Sequence, residues 1–232
     1  MSLSRRHAFG ALGCMFCAVA VTPPRPADAA GGVPKTDLTP DQALARLMYG
    51  NRRFVADQPI QPDIGSARRR ALSAGQAPYA TIVACADSRS APETLVGAGL
   101  GEIFVTRVAG NTVPAPDLAS IAYAVDVLGT PLIAVLGHES CGAVAAAVAV
   151  VTQGLVVLPI MQPMLGPLIF AVNAVRNQPG DLLDNAVREN ARQGARQLSR
   201  QPEFAEKIAA GKLKIVAARY DLDEGQITLL DT

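Results

Sequence analysis

Several residue types are scarce or absent in this sequence, which also lacks a large net charge and a long apolar run. Its 232 residues include no tryptophan, two histidines and four cysteines. The net charge of +1 gives no electrostatic argument for a nucleic-acid partner. The longest uncharged stretch, residues 140–175, is broken by prolines and glutamines, whereas a membrane span needs about 20 mostly apolar residues. Half of the residues are hydrophobic, so we expect a folded chain with one core.

The N-terminal segment has the three parts of a secretory signal. Arg5 and Arg6 precede an apolar stretch of about 14 residues, and the small residues at 27–29 suit a cleavage site. Paired arginines after a serine are typical of twin-arginine signals, which export folded proteins. We therefore predict that residues 1–29 are an export signal, that residues 30–232 form the mature domain, and that the protein is periplasmic or otherwise exported. The alternative is an uncleaved N-terminal arm that happens to contain two arginines.

Cleavage of this segment would leave few cysteines and histidines in the mature chain. It would remove two of the four cysteines and one of the two histidines, and leave Cys85, Cys141 and His138. Any chemistry that needs thiols or an imidazole must then use these three side chains.

The alternation of strand and helix patterns predicts the fold class. Apolar, β-branched runs without alternation indicate strands that are buried on both faces of a parallel sheet. Such runs occupy residues 79–84, 103–108 and 132–136, and a terminal hairpin is predicted at 212–220 and 226–230. Helical spacing predicts helices at 39–57, 117–128, 142–151, 163–177, 181–198 and 203–210. We expect a single α/β domain: a mainly parallel sheet of about four strands, an antiparallel edge strand and helices on both faces. Residues 39–57 form its N-terminal helical arm and residues 75–232 its core.

Two short motifs follow predicted strands and bring the remaining cysteines and histidine to one edge of the sheet. Cys85 begins the first motif, CADSR, and His138 and Cys141 belong to the second, GHESCG. Ligands of open α/β sheets bind at this carboxyl edge. Two cysteines and one histidine suit zinc, and three ligands are one fewer than a closed structural site needs. The set therefore leaves one tetrahedral position for water or another oxygen ligand, as in a catalytic zinc site.

Asp87 and Arg89 lie two residues apart in the first motif and can form a charge-assisted pair. With Arg89 holding its carboxylate, Asp87 can accept a hydrogen bond from water on the zinc. If Arg89 moves away, Asp87 can instead become a fourth zinc ligand and close the site. The sequence leaves both arrangements open.

A disulfide is the main structural alternative for the two cysteines. Exported proteins use cysteine pairs for disulfides more often than for metal binding. A disulfide, however, explains neither the histidine three residues before Cys141 nor the Asp87–Arg89 pair beside Cys85. The combination of motifs therefore favours a metal site.

The sequence resembles the β-class carbonic anhydrases from about residue 39 to residue 230. The resemblance is carried by CADSRSAPE at 85–93, GEIFVTRVAGN at 101–111, AYAVDVL at 122–128, VLGHESCGAV at 135–144 and YDLDEG at 220–225. It implies an enzyme that interconverts CO₂ with bicarbonate and a proton by a zinc hydroxide mechanism, with one Zn²⁺ per subunit.

The resemblance also implies roles for individual residues. Cys85, His138 and Cys141 match the zinc ligands, and Asp87 with Arg89 matches the catalytic pair. The family's subunits associate as dimers or dimers of dimers with active sites at the interface. We therefore expect a homo-oligomer that binds CO₂ and bicarbonate, with no nucleic acid and, after signal removal, no membrane as a partner.

Four further positions are assigned to substrate binding by the same resemblance. Gln76 falls where one subgroup has a glutamine that hydrogen-bonds bicarbonate, and Phe104 and Tyr123 match residues that line the substrate pocket. Gly142, beside the last zinc ligand, is placed with them.

Two departures from the family pattern bear on its subgroups. Val108 replaces the asparagine that usually follows the arginine of the second matching motif. Ile82 stands where an allosteric subgroup has a tryptophan, which together with Gln76 favours the non-allosteric subgroup with an open zinc site.

Two other functions are compatible with the same motifs. One is a hydrolase of a sulfur analogue of CO₂, such as carbonyl sulfide or carbon disulfide. The other is a non-enzymatic zinc or redox module in which Cys85 and Cys141 form a switch.

Overall fold

The computed structural model describes residues 34–231, so the export signal predicted for residues 1–29 lies outside the described residues. In chain order the elements are α1 (Pro40–Val55), α2 (Ser66–Leu72), β1 (Ala80–Ala84), α3 (Pro92–Val96), β2 (Ile103–Arg107), α4 (Ala115–Asp126), β3 (Leu132–His138), α5 (Gly142–Gln153), a 3₁₀ turn (Pro159–Met161), α6 (Gln162–Val175), α7 (Leu182–Ser199), α8 (Pro202–Ala209), β4 (Lys214–Tyr220) and β5 (Ile227–Leu230). None of the helices in this part of the chain is long and apolar enough to cross a membrane.

The strands form one sheet in the order β2-β1-β3-β4-β5. Strands β1 to β4 are parallel, and β5 pairs antiparallel with β4. The predicted mainly parallel sheet and antiparallel edge strand are therefore confirmed. The register pairs Ala84 of β1 with Leu136 of β3. The residues that follow these two strands consequently meet at the same edge of the sheet.

Helices cover both faces of the sheet, as predicted. Successive side chains of a strand point to opposite faces. Ile82 and Ala134 therefore pack with α1 and α3 on one face. Val83 and Val135 pack with α4, α7 and α8 on the other. Because both faces are buried, the strands have the continuous apolar sequences from which they were predicted.

The start of α1 follows from its sequence. Thr39 caps the helix in a capping box with Gln42, and Pro40 occupies the first turn. The far part of α1 is fixed by the buried Asn51, whose amide donates to the carbonyl oxygens of Leu95 and Gly225. These bonds tie the N-terminal arm to α3 and to the C-terminal hairpin.

Three short elements were not predicted. None of the residues of α2 is buried against the rest of residues 34–231. Its sequence therefore lacks the repeat of apolar residues by which a helix is predicted. The α3 helix and the 3₁₀ turn are too short for such a pattern to repeat.

Candidate metal centre

Three metal-binding side chains meet at the carboxyl edge of β1 and β3. Cys85 follows β1, His138 ends β3, and Cys141 is the N-cap residue of α5. One donor atom from each lies within 4.8 Å of the other two, and all three residues are buried. The sulfur atoms are 4.0 Å apart, and both cysteines are free. A disulfide would need about 2.05 Å between these atoms, so the residues are arranged as separate ligands.

The imidazole of His138 is oriented by a backbone hydrogen bond. Its Nδ1 donates to the carbonyl oxygen of Glu139 at 2.8 Å, which leaves Nε2 as the free nitrogen. Nε2 is buried and has no hydrogen-bond partner among residues 34–231. A buried polar atom without a partner is unfavourable, and a metal ion at this position would satisfy it.

Backbone N–H groups surround both sulfur atoms. The Gly110 amide donates to Cys85 Sγ at 3.3 Å, and the amides of Ala143 and Val144 point at Cys141 from the first turn of α5. A hydrogen bond from the Cys141 thiol to the Cys85 sulfur lowers the pKa of Cys85 and raises the pKa of Cys141. The backbone amides favour negative charge on sulfur, as thiolate ligands require.

The donor set fits zinc. A tetrahedral zinc ion holds two thiolate sulfurs about 3.8 Å apart, close to the separation of Cys85 and Cys141. The third donor is the unpartnered imidazole nitrogen of His138. Cys85, His138 and Cys141 would hold the ion, and three protein ligands would leave room for one non-protein ligand.

Asp87 and Arg89 form the predicted pair beside this centre. Arg89 donates from Nε to Asp87 Oδ1 at 2.9 Å and from Nη2 to Oδ2 at 2.7 Å. These hydrogen bonds hold the pKa of Asp87 well below its usual range. Asp87 Oδ2 lies 3.9 Å from Nε2 of His138, so the carboxylate stands next to the cysteines and histidine while Arg89 holds both of its oxygens. Of the two arrangements left open by the sequence, the structure has the one with Asp87 paired to Arg89.

Arg107 is a positioning residue that sequence reasoning missed. Its guanidinium donates to the carbonyl oxygen of Cys85 at 2.8 Å and to that of Asp87 at 2.6 Å. It thereby fixes the loop that carries one cysteine and the carboxylate. The available signal was its place at the carboxyl end of β2, the strand that lies beside β1.

A second missed residue is Arg219, which braces the other side of the centre. Only 11% of its side chain is exposed, and it forms ion pairs with Glu139, Asp184 and Asp221. Glu139 is also the residue whose carbonyl oxygen orients the ring of His138. The cluster therefore joins β4 and the start of α7 to the loop after β3.

Replacing Arg219 with methionine should lower the free energy of unfolding at pH 7 by about 3 kcal/mol, because three carboxylates would lose their shared cation. The hydrogen bond from Arg219 lowers the pKa of Asp221, so the stability it gives is present above the ordinary pKa of 3.8 and lost at lower pH. The difference between wild type and variant should therefore shrink below about pH 3.8. Urea unfolding at several pH values measures this, and a difference that grows on acidification would contradict it.

The four residues assigned to substrate binding are placed unequally. Gly142 is exposed and begins α5 beside Cys141. No atom of residues 34–231 lies within 4 Å of the position that a β-carbon would take there. Gln76 precedes β1, at the strand end opposite to the metal centre. Phe104 pairs in register with Thr81, about 13 Å along β1 from Cys85. Its ring lies 6.4 Å from that of Tyr123. Within one protomer, therefore, only Gly142 of these four adjoins the metal ligands.

Comparison with known proteins gives one consistent result. The family model described as carbonic anhydrase matches residues 80–227. Carbonic anhydrase 2 of Mycobacterium tuberculosis is 39% identical over 193 residues, which cover 83% of this chain and 93% of that protein. A tetrameric β-carbonic anhydrase of Sordaria macrospora superposes with a TM-score of 0.65 at 27% identity, over 71% of this chain and 86% of that one. The Coccomyxa β-carbonic anhydrase, solved in complex with acetazolamide, gives 0.62 at 25% identity, over 81% and 86%.

The parallel α/β sheet with two cysteines and one histidine at its carboxyl edge defines a class of metal-binding protein. Within that class, the chain belongs to the carbonic anhydrase family, in its β class.

Proposed function

We propose that this protein is a zinc-dependent carbonic anhydrase that catalyses the reversible hydration of CO₂ to bicarbonate and a proton. The observation that carries this is the group of Cys85, His138 and Cys141 with the Asp87–Arg89 pair at its side. A zinc ion held by these three ligands would supply a Lewis acid that lowers the pKa of water towards neutrality.

The role of Asp87 is to accept a hydrogen bond. Its carboxylate stays ionised at neutral pH, because the hydrogen bonds from Arg89 lower its pKa. Asp87 Oδ2, 3.9 Å from His138 Nε2, is placed to orient a water molecule at the centre. Arg89 remains charged, so it keeps this carboxylate fixed and leaves it unable to take the product proton at neutral pH.

The surroundings of the cysteines are apolar. Val144, Leu165 and Leu168 are buried in the same cluster as the two sulfur atoms. Such surroundings exclude bulk water from the back of the centre and suit a small, uncharged substrate such as CO₂.

The product proton must leave without a histidine shuttle. His138 is the only histidine in residues 34–231, and its Nδ1 is bonded to a carbonyl oxygen. We therefore expect the turnover number at saturating CO₂ to rise with buffer concentration before it levels off. Stopped-flow hydration over a buffer series measures this, and a turnover number independent of buffer would contradict the absence of an internal shuttle.

A second copy of the chain completes the substrate site in this proposal. Gln76 and Phe104 lie towards the strand end opposite to the metal ligands of their own protomer, Tyr123 has its ring near Phe104, and β2, which carries Phe104, is an edge strand. Tyr123 is 49% exposed although its ring lies near that of Phe104. If the β2 strands of two subunits paired, these residues would lie next to the metal centre of the partner subunit. There Gln76 would bind bicarbonate, and the rings of Phe104 and Tyr123 would line the pocket. The homo-oligomer is a dimer or a dimer of dimers, and the Sordaria relative is described as tetrameric.

The site is of the open, non-allosteric kind in this proposal. Ile82 is buried in the core between β1 and α1, and Asp87 is paired with Arg89. Bicarbonate at high concentration should therefore inhibit only by competition at the metal centre.

We place the protein outside the cytoplasm, with residues 1–29 as a twin-arginine-like signal and residues 30–232 as the mature domain. The support is the sequence of that segment and the need to protect two thiolates by zinc loading before they meet oxidising conditions. Replacing Arg5 and Arg6 by lysines should retain active protein in the cytoplasm. Unchanged export of that variant would contradict the proposal.

The test of function is CO₂ hydration by the zinc-loaded protein, compared with hydrolysis of carbonyl sulfide under the same conditions. We expect hydration to be the faster reaction by far. A protein that hydrolyses carbonyl sulfide but leaves CO₂ at the uncatalysed rate would instead be a hydrolase of the sulfur analogue. Inactivity towards both substrates with zinc bound would indicate a non-enzymatic module.

A further inference from the structure

A buried amide on α7 contacts the backbone beside one of the two sulfurs. Only 4% of Asn190 is exposed, and the other buried residues of α7 are alanine, glycine, valine or leucine. Burial of an amide is unfavourable unless it is hydrogen-bonded, so a polar residue at this position needs a partner. Asn190 has one in the backbone of Gly110, because its Nδ2 donates to that carbonyl oxygen at 2.8 Å.

Gly110 lies between this amide and the metal centre. Its carbonyl oxygen accepts from Asn190, and its N–H donates to Cys85 Sγ at 3.3 Å. It belongs to a tight turn in which the N–H of Asn111 donates to the carbonyl oxygen of Val108 at 3.0 Å. Gly110 has a φ of 79° and Asn111 a φ of 43°, both in the left-handed region. Such a backbone persists only when the surrounding structure holds it.

Two helices hold the turn on the side of the Gly110 α-carbon. A β-carbon at Gly110 would lie 2.7 Å from Leu168 Cδ1 and 3.4 Å from the β-carbon of Ala143. Leu168 is a fully buried residue of α6, and Ala143 lies in the first turn of α5. The turn therefore packs on α5 and α6 and is bonded to α7 through Asn190. Together these contacts fix the direction of the Gly110 N–H.

The direction of this N–H affects the charge on the Cys85 sulfur. A backbone N–H bonded to a thiolate draws electron density from it, and such outer hydrogen bonds tune the metal that the sulfur binds. The corresponding donors to Cys141, the amides of Ala143 and Val144, belong to the helix that Cys141 caps. One donor to Cys85, in contrast, comes from the separate turn at Gly110. This donor depends on contacts from outside the turn.

We propose that Asn190 is a positioning residue of the metal centre, which holds the Gly110 carbonyl oxygen and so directs the Gly110 N–H at the sulfur of Cys85. The inference rests on the zinc site of the proposed function, but not on CO₂ as the substrate. Outer hydrogen-bond partners of metal ligands typically change metal affinity or activity by 10–100-fold. In the alternative, Asn190 only stabilises the fold by satisfying a buried carbonyl oxygen.

The test uses the full chain loaded with Co²⁺ in place of zinc, because the absorption of cobalt reports its bonds to sulfur. Asn190→Leu has a similar size but no N–H₂ group, and Asn190→Ala removes the group without adding bulk. In both variants the sulfur-to-cobalt charge-transfer band should move to longer wavelength, since a sulfur without this hydrogen bond gives up charge more easily. Competition with a chelator should show that the zinc dissociation constant rises by about ten-fold.

The matched control is Gln197→Met. Gln197 also lies on α7, and its Nε2 donates at 3.1 Å to the carbonyl oxygen of Val113, three residues beyond Gly110. The variant loses the same kind of bond to the same segment and leaves the turn untouched. Its cobalt band and zinc affinity should equal those of the wild type, even where urea unfolding shows a loss of stability.

The outcomes separate positioning from a structural role. A wild-type band and wild-type zinc affinity in folded Asn190→Leu and Asn190→Ala would overturn the inference, and so would an equal shift of the band in Gln197→Met. A wild type without the charge-transfer band would overturn the inference together with the zinc site. If the wild type has the band but does not hydrate CO₂, the proposed function is wrong, whereas a band shift in the Asn190 variants still supports the inference.

Discussion

Replacing Cys141 with serine should abolish zinc binding and CO₂ hydration together. The serine hydroxyl is neutral at pH 7 and a poor zinc ligand, and so only Cys85 and His138 would remain as protein donors. We expect zinc content to fall from one ion to less than about a tenth of an ion per chain. Hydration should fall by about a thousand-fold or more. Elemental analysis and stopped-flow assays on the same preparation measure both.

The fold should survive this substitution. Cys141 is the N-cap residue of α5, and serine is among the best residues at that position. Circular dichroism of the metal-free variant should therefore match that of the metal-free wild type. The control is the wild type taken through the same metal removal and reloading, which should recover one zinc ion per chain. A Cys141→Ser protein that retains one zinc per chain would show that the ligand set is wrong.

The second large effect is expected for Asp87→Asn, which should separate zinc binding from catalysis. The three metal-binding residues are untouched, so zinc content should stay at one per chain. The amide has an N–H₂ group where the carboxylate has an acceptor oxygen, and it loses the charged bonds to Arg89. We expect hydration to fall by about a hundred-fold, a typical loss for one group that positions charge or hydrogen bonds in a transition state.

The matched control for this variant is Asp41→Asn. Asp41 is highly exposed, and among residues 34–231 its one ion pair is with Lys214 at the surface, where such a pair contributes little. Its substitution should leave both zinc content and hydration unchanged. If Asp87→Asn kept wild-type turnover, the carboxylate would have no part in the reaction. Loss of zinc from that variant would instead indicate that Asp87 is a metal ligand.

The central part of the site could be predicted because its residues follow strands whose sequences are distinctive. The continuous apolar character of β1 and β3 predicted the strand ends closely: β1 ends at Ala84 as predicted, and β3 runs two residues beyond the predicted 136, so that His138 is its last residue. Asp87 and Arg89 are only two residues apart in the sequence, so their ion pair could be predicted without knowledge of the fold. The parallel sheet and its antiparallel edge were likewise readable from the order of strands and helices.

Other contacts depend on the order of the strands in the sheet, which no local pattern reveals. Arg107 reaches the loop after β1 only because β2 lies beside β1. Arg219 reaches Glu139 only because β4 lies beside β3. The backbone of Ser140 adopts a φ of 51°, a conformation unfavourable for a non-glycine residue, and serine at this position gives no sign of it. Such features become visible only when the chain is folded.

The central claim is that two sulfurs and one imidazole hold a zinc ion and leave its fourth position to a non-protein ligand. X-ray absorption at the zinc edge tests it most directly on the purified, metal-loaded protein. We predict two sulfur neighbours at about 2.3 Å and two lighter neighbours at about 2.0–2.1 Å. A chain without zinc, or one in which Cys85 and Cys141 are joined at a sulfur–sulfur distance of about 2.05 Å, would contradict the account.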